Sequence, residues 1–172
     1  MMDYKQYIDN VPDFPVDGIE FKDITTIFKN PTVLNQAIED MSYKLKDIDF
    51  DIIVGAESRG IWFAIPIAMK LNKPIVFARK AGKLPKKTEM VSYGLEYGKD
   101  KMEIQVEDIP VGSRVLIIDD VLATGGTINA VGELVQKLGG EVAAFAFFIE
   151  LLEFDAKNKL SKIAKSYSLV GY

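Results

Sequence analysis

Residues Pro31 to Lys46 set Val33, Leu34, Ala37, Ile38, Met41 and Leu45 three and four positions apart, the spacing of a single apolar helix face. Asn30 stands ahead of the run as a cap, and Pro31 falls in the first turn, where its missing N–H is no loss. The next apolar run, Asp51-Ile52-Ile53-Val54-Gly55, is short and ends in glycine; it predicts a strand buried on both faces, as in a parallel sheet. Arg59 to Leu71 has the length of a helix, but Pro66 lacks a donor and clashes with the turn before it, which predicts a kink or a late start. Pro74 to Arg79 and Arg114 to Asp119 read as further central strands. Thr127 to Leu138 predicts a helix stopped by Gly139-Gly140, with another strand over Glu141 to Ile149. Between the central strands, Lys80 to Asp108 is rich in lysine, glycine and tyrosine and reads as a mobile excursion from the core. The alternation of Met102-Glu103-Ile104-Gln105-Val106 predicts one strand within it. Strands alternating with helices predict an α/β fold, a mainly parallel central sheet flanked by helices. No repeat or linker divides the chain, so residues 1–172 are expected to form one domain.

Composition narrows the chemistry. The 172 residues are 48% hydrophobic and 27% charged, a balance that suits one globular core rather than a disordered chain. The apolar stretches Gly60 to Met69 and Val142 to Ile149 fall short of the roughly 20 residues that span a bilayer, and MMDYKQYIDN lacks the pattern of a secretory signal. A cytoplasmic location is expected, with no membrane partner. The sequence contains no cysteine and no histidine, which removes disulfides, thiolate nucleophiles, imidazole bases and nitrogen- or sulfur-bound zinc. Any metal must be hard and bound through oxygen. A net charge of −4 repels nucleic acid, so a polyanionic ligand would need a local basic cluster.

The segment Val115-Leu116-Ile117-Ile118-Asp119-Asp120-Val121-Leu122-Ala123-Thr124-Gly125-Gly126-Thr127-Ile128 carries the most information. A buried strand delivers two carboxylates to its C-terminal end, where open α/β sheets bind ligands, and a loop of small residues then enters a helix. Gly125 and Gly126 allow close backbone approach, so the N–H groups of Thr124 to Thr127 can surround phosphate oxygens at the helix N-terminus. The helix dipole supplies about 0.3–1 kcal/mol when exposed, so the converging amides must provide most of the grip. Carboxylates beside a phosphate repel it unless they face something neutral, and ribose hydroxyls fit Asp119 and Asp120. The bland alternative is a glycine-rich turn with solvated aspartates. The chain has neither a G-x-x-x-x-G-K-[ST] run nor a G-x-G-x-x-G turn, which argues against a P-loop ATPase and a dinucleotide enzyme.

This segment resembles the phosphoribosyl pyrophosphate signature of the type I phosphoribosyltransferases. The resemblance implies that Asp119 and Asp120 hold the ribose hydroxyls and that Ala123, Thr124, Gly125, Gly126 and Thr127 hold the 5-phosphate. A second loop, Gly55-Ala56-Glu57-Ser58-Arg59-Gly60, presents a cation beside small residues at another strand end. Alone, it would read as a capping turn with a surface Glu57–Arg59 pair. A nucleophile elbow is a third reading, but Ala56 replaces a glycine and no histidine exists to activate Ser58. The loop resembles the family's pyrophosphate loop, which implies that Glu57, Ser58 and Arg59 meet the leaving group; in that family the bond before the residue matching Ser58 is often cis. Arg79, Lys80, Lys83, Lys86 and Lys87 gather positive charge downstream, either as a solvated loop or as cations for a departing diphosphate. Gly82 and Gly94 are candidate hinges.

The N-terminal Val11-Pro12-Asp13-Phe14-Pro15-Val16-Asp17-Gly18-Ile19-Glu20-Phe21-Lys22-Asp23-Ile24-Thr25 resembles the hood of the adenine-specific members, written FP-x-x-G-x-x-F-R-D-I-[ST]. There Phe21 would stack on the purine while backbone groups at Glu20 and Lys22 read its edge; lysine replaces the usual arginine at Lys22. Ser92-Tyr93-Gly94-Leu95-Glu96-Tyr97-Gly98 resembles the lid segment of the same enzymes, with Glu96 toward the purine's imidazole nitrogens and Tyr97 over the sugar. Trp62 and Ala64 depart from the family's usual residues after the pyrophosphate loop. The resemblance implies the family fold, with a small hood over about residues 1–30, a core over about 31–172 and a mobile lid over about 80–103. It further implies purine salvage, in which phosphoribosyl pyrophosphate and adenine give AMP and pyrophosphate. Catalytic roles would fall to Arg59, Glu96, Asp119 and Asp120, with Mg2+ bound mainly through substrate oxygens and a homodimer as the assembly. A 6-oxopurine substrate and a non-catalytic sensor of phosphoribosyl pyrophosphate are the competing readings.

Overall fold

The computed structural model describes residues 2–94 and 100–172. A two-stranded antiparallel ribbon comes first, β1 (Asp9–Val11) with β2 (Phe21–Asp23), followed by the short helix α1 (Thr25–Phe28) and then α2 (Pro31–Leu45). The remainder runs β3 (Ile52–Ala56), α3 (Arg59–Leu71), β4 (Ile75–Lys80), β5 (Thr88–Tyr93), β6 (Asp100–Gln105), β7 (Arg114–Leu122), α4 (Gly126–Lys137), β8 (Glu141–Glu150), α5 (Ala156–Leu160) and β9 (Lys165–Gly171). The seven-stranded main sheet runs β5-β6-β4-β3-β7-β8-β9; it is parallel from β4 through β9, with β6 antiparallel to both of its neighbours.

Successive side chains of a strand point to opposite faces, and the central strands bury both sets. Ile53, Leu116 and Ile118 join α2, α3 and Phe148 in one core layer. Val54, Val115 and Ile117 join α4, Phe145 and Phe147 in the other. This double burial explains the unbroken apolar runs in β3 and β7. Asn30 caps α2 as expected, its side chain accepting from the Val33 N–H at 3.3 Å.

The structure differs from the sequence reading in four places. Helix α3 begins at Arg59 and continues through Pro66, so there is no late start; the surrounding core holds the helix despite the missing Pro66 donor. Strand β7 runs beyond Asp119 to Leu122 because β8 continues beside it, pairing Val121 with Ile149 and Leu122 with Glu150. Strand β9 is hidden in the pattern: its Lys165, Ser166 and Ser168 interrupt the apolar signal, and pairing with β8 overrides it. The described arms of the 80–108 segment are not an excursion. They form the β5–β6 hairpin, which joins β4 and buries Val91, Met102 and Ile104 in the core layer of α4.

One close approach sets the geometry of the ligand end. Helix α3 lies against the end of β7 so tightly that a Cβ at Gly60 would stand 2.7 Å from Asp119 Oδ1, 2.8 Å from Asp119 Cα and 2.9 Å from the Ile118 carbonyl oxygen. Backbone cannot yield easily there, so Gly60→Ala is expected to destabilise the protein by about 1–3 kcal/mol in urea unfolding. An unchanged midpoint would mean that α3 can slide off β7 without loss.

Candidate active site

Three loop regions meet above the C-terminal ends of β3 and β7. The hood contributes Ile19, Glu20, Phe21 and Lys22; the β3–α3 loop contributes Glu57, Ser58 and Arg59; the end of β7 and its loop contribute Asp119, Asp120, Val121, Ala123 and Thr127. Together with Lys80, Tyr93 and Leu151 they line a cleft of about 430 Å³. Thr124, Gly125 and Gly126 instead line a second hollow of about 240 Å³ with Asn129 and Lys159. Gly125 has a φ of +85°, a left-handed conformation that glycine adopts without Cβ strain, and it turns the chain into α4 at Gly126. The resulting first turn of α4 leaves amides near its start without intrahelical acceptors, as an anion requires.

The carboxylates differ in their surroundings. Asp119 accepts the Asp120 N–H at 2.9 Å through Oδ1, the same oxygen that lies against Gly60. Burial first, and the charge of Asp120 second, push its acid well above the ordinary carboxylate range, against the lowering effects of the Asp120 N–H and the Arg59 charge. Asp120 is 6% exposed, and its Oδ2 stands 2.7 Å from Arg59 Nε without hydrogen-bond alignment. The contact is therefore an ion pair whose oxygen retains hydrogen-bonding capacity. The Arg59 guanidinium also lies 4.8 Å from the centre of the Phe21 ring, and Phe14 meets that ring edge-on at 5.1 Å. Arg59 thus joins the hood to the acidic pair.

Glu57 faces away from an anion. Arg79 donates to it from Nε at 3.3 Å and from Nη2 at 3.1 Å, and the Lys80 N–H donates at 2.8 Å. Burial alone would raise its acid, but these donors and the Arg79 and Lys83 charges prevail and lower it. The peptide bond from Glu57 to Ser58 is cis. Of the downstream cations, Lys80 lines the cleft; Arg79 is engaged by Glu57 and by the Lys83 carbonyl at 3.1 Å, while Lys86 pairs with Glu107 at 3.7 Å. Arg79, Lys83 and Lys86 are not part of the cleft wall. Glu96 and Tyr97 lie outside the described residues. Asp23, within the hood motif, serves the fold: it accepts the Thr25 N–H at 2.9 Å and the Thr25 hydroxyl at 2.8 Å.

Glu103 is a residue that the pattern missed. Alternation puts it on the polar face of β6, yet it is 2% exposed. Its Oε1 accepts the N–H groups of Lys83 and Leu84, each at 3.0 Å, and Oε2 accepts the Thr88 hydroxyl at 3.1 Å. The basic loop is thereby pinned at its base. Tyr93 and Leu151 were also missed as cleft residues; their one available signal is that each lies at the end of a strand that stops at this edge. Among the described residues no group of three or more acidic side chains is placed to hold a metal ion, and no helix is long and apolar enough to cross a membrane.

A model of the phosphoribosyl transferase domain matches residues 23–169. An adenine phosphoribosyltransferase of Methanococcus maripaludis (strain C7) is 48% identical over 174 residues, covering 99% of this chain and 99% of the relative. The chain belongs to the adenine phosphoribosyltransferase family. Solved adenine phosphoribosyltransferases share its fold. The enzyme of Thermoanaerobacter pseudethanolicus superposes with a TM-score of 0.94 at 43% identity, covering 98% of this chain and 97% of its own. That of Saccharomyces cerevisiae, complexed with D-2,5-dideoxy-2,5-imino-altritol 1,6-bisphosphate and adenine, gives 0.88 at 38% identity, covering 95% of this chain and 94% of its own. The adjacent, buried carboxylates of Asp119 and Asp120 carry a cost in the free state of the chain.

The raised acid of Asp119 fixes the sign of that cost. Between the ordinary carboxylate value, about 4, and the raised folded value, the folded chain binds more protons than the unfolded one. Stability is therefore fully present below that window and falls as pH rises through it. Asp119→Asn is expected to raise Tm at pH 7, with the gain shrinking toward zero below about pH 4. Thermal unfolding across pH reads this, and a lower Tm for the Asn variant at pH 7 would reverse the assignment.

Proposed function

We infer that this chain transfers the 5-phosphoribosyl group of phosphoribosyl pyrophosphate to adenine, giving AMP and pyrophosphate. The observation that carries the reading is one cleft holding an aromatic hood, an acidic pair and the start of the phosphate loop. The 5-phosphate sits at the amides entering α4, the ribose hydroxyls donate to Asp119 and Asp120, and adenine lies beside Phe21. Backbone groups of Glu20 and Lys22 read the purine edge, since a carbonyl accepts from the amino group and an N–H donates to the adjacent ring nitrogen. A 6-oxopurine reverses that pattern and leaves polar groups unpaired. Attack by the ring nitrogen forms the bond to the anomeric carbon as the bond to pyrophosphate oxygen breaks, with inversion and without a covalent enzyme intermediate.

Arg59 has a further part in this reading. Resemblance assigns it to the leaving group, and its guanidinium is bound to Asp120 and Phe21. Ribose hydroxyls reaching Asp120 compete with that ion pair and free Arg59 to meet new negative charge. Ser58 and Lys80 border the same part of the cleft, while Arg79, Lys83 and Lys86 contribute after rearrangement of their loop. Glu96 hydrogen-bonds or exchanges a proton with the imidazole nitrogens of adenine, and Tyr97 covers the sugar.

Mg2+ belongs to the reading because the cleft supplies hard oxygen donors, including the buried Asp120 Oδ2 that lacks a hydrogen bond. Bound through diphosphate and ribose oxygens, it would neutralise charge on the leaving group. The reading also includes a cytoplasmic homodimer. Trp62, Ile65 and Met69 are exposed along one face of α3 and offer an apolar surface for a second copy.

Purified protein incubated with phosphoribosyl pyrophosphate, Mg2+ and each purine in turn is expected to form nucleotide with adenine alone, and chelation to stop turnover. Turnover with only a 6-oxopurine would defeat the hood assignment; binding without turnover would leave a sensor. The paired variant Asp119→Asn, Asp120→Asn is expected to lose about 10²-fold or more in kcat while remaining folded. Unchanged kinetics would remove both aspartates from the mechanism.

A further inference from the structure

The hood reads the base through backbone atoms, so its accuracy depends on how firmly β2 is held over the cleft. A ribbon of two three-residue strands cannot hold itself, because so few pairings leave it marginal in water. All three residues of β1 are exposed, and those of β2 are only partly buried. Its position must come from contacts to the rest of the fold.

Lys22 supplies such a contact. Its side chain is 10% exposed, and its ammonium lies 2.9 Å from Asn10 Oδ1 on β1 and 2.8 Å from Glu20 Oε2. It also stands 4.4 Å from the centre of the Tyr172 ring, which Lys5 approaches at 4.7 Å. Both strands of the ribbon and an aromatic face of the core therefore converge on one cation. Tyr172 is itself fixed: its N–H donates to the Glu150 carbonyl at 2.9 Å, and its carbonyl accepts the Leu152 N–H at 2.7 Å. Glu150 pairs with Leu122, just before the phosphate loop. The ring is thus mounted on the same sheet end that carries the acidic pair.

We propose that Tyr172 is a positioning residue for the purine, holding the Lys22 ammonium against its ring and so fixing the backbone from Glu20 to Lys22 over the cleft. Tyr172 is absent from the cleft wall and acts through Lys22. Its phenol makes no hydrogen bond among the described residues, so the ring face is the part that acts. This also gives a role to the lysine that replaces the family's arginine: a compact ammonium fits between Asn10, Glu20 and the ring.

The inference rests on the adenine reading, and the experiment separates the two. Wild type, Tyr172→Phe and Tyr172→Leu are compared for KM of adenine, KM of phosphoribosyl pyrophosphate, kcat and amide hydrogen exchange in β1 and β2. Tyr172→Leu is expected to raise KM for adenine about three- to tenfold, with the other constants within about twofold, and to speed exchange in the ribbon. Phe restores both readouts. Equal rises in the two KM values, damage by Phe as great as by Leu, or unchanged ribbon exchange would each overturn the proposal. If wild type does not use adenine, the functional reading falls and exchange alone decides the anchor. If the Leu variant does not fold, Tyr172→Met removes the ring face in its place and is read by the same measurements against the same outcomes. Lys22→Met, at a residue that lines the cleft and also holds Asn10 and Glu20, is read by ribbon exchange alone, which is expected to speed up.

Discussion

Two acidic side chains lie next to each other at the buried end of β7, and their mutual repulsion shapes what surrounds them. Helix α3 presses on Asp119 through Gly60, so the pair cannot simply move apart. The folded chain meets the repulsion in two ways: Asp119 holds its proton more tightly than a free carboxyl does, and Asp120 takes the Arg59 charge. Neither measure extinguishes the site, because the Arg59 contact leaves Asp120 Oδ2 without an aligned donor. A ligand with neutral hydroxyls and a counter-cation finds acceptors already gathered.

The same restraint governs the positive groups. Arg79 is held by Glu57, Lys86 by Glu107, and the loop carrying Lys83 by the buried Glu103. Glu103 shows why a buried acid can be structural: both its oxygens are occupied, and its loss would orphan two amides and a hydroxyl. Glu57, only half-buried and in the cleft wall, also has both its oxygens engaged, by Arg79 and the Lys80 N–H. Arg59 differs because its partners, Asp120 and Phe21, line the cleft with it.

Local signals decided how much was legible in advance. The doubly buried strands declared themselves because β3 and β7 show no polar position within their apolar runs, and α2 because Asn30 and Pro31 mark its start. The acidic pair and the loop were legible because strand, glycine turn and helix follow one another without a gap. Strand β9 was not, since its partial burial mixes polar and apolar positions. Nor was the partner choice of the cations: Glu57 lies twenty-two residues from Arg79 and Glu103 twenty from Lys83, distances over which no sequence spacing reports a contact. The Arg59 position between Asp120 and Phe21 is likewise a product of three loops meeting.

Phosphate and sugar can be recognised at the rigid sheet end, because amides and carboxylates are fixed there by the strands themselves. A flat base needs an aromatic face to lie against, and in the proposed reading the Phe21 ring supplies it from above the strand ends. The hood answers that need, and its sparse pairing makes it the least self-sufficient part of the cleft. Its base is tied to α2, where the Tyr4 hydroxyl donates to Asp40 at 2.7 Å and the ring meets Phe148 edge-on. Strand β2 is tied farther out, by Arg59 under Phe21 and Lys22 against Tyr172. Because Arg59 also pairs with Asp120 whereas Lys22 meets Tyr172 away from the acidic pair, the two ties are independent, and in the proposed reading the Lys22 tether would keep the hood in register while Arg59 turns to the departing diphosphate.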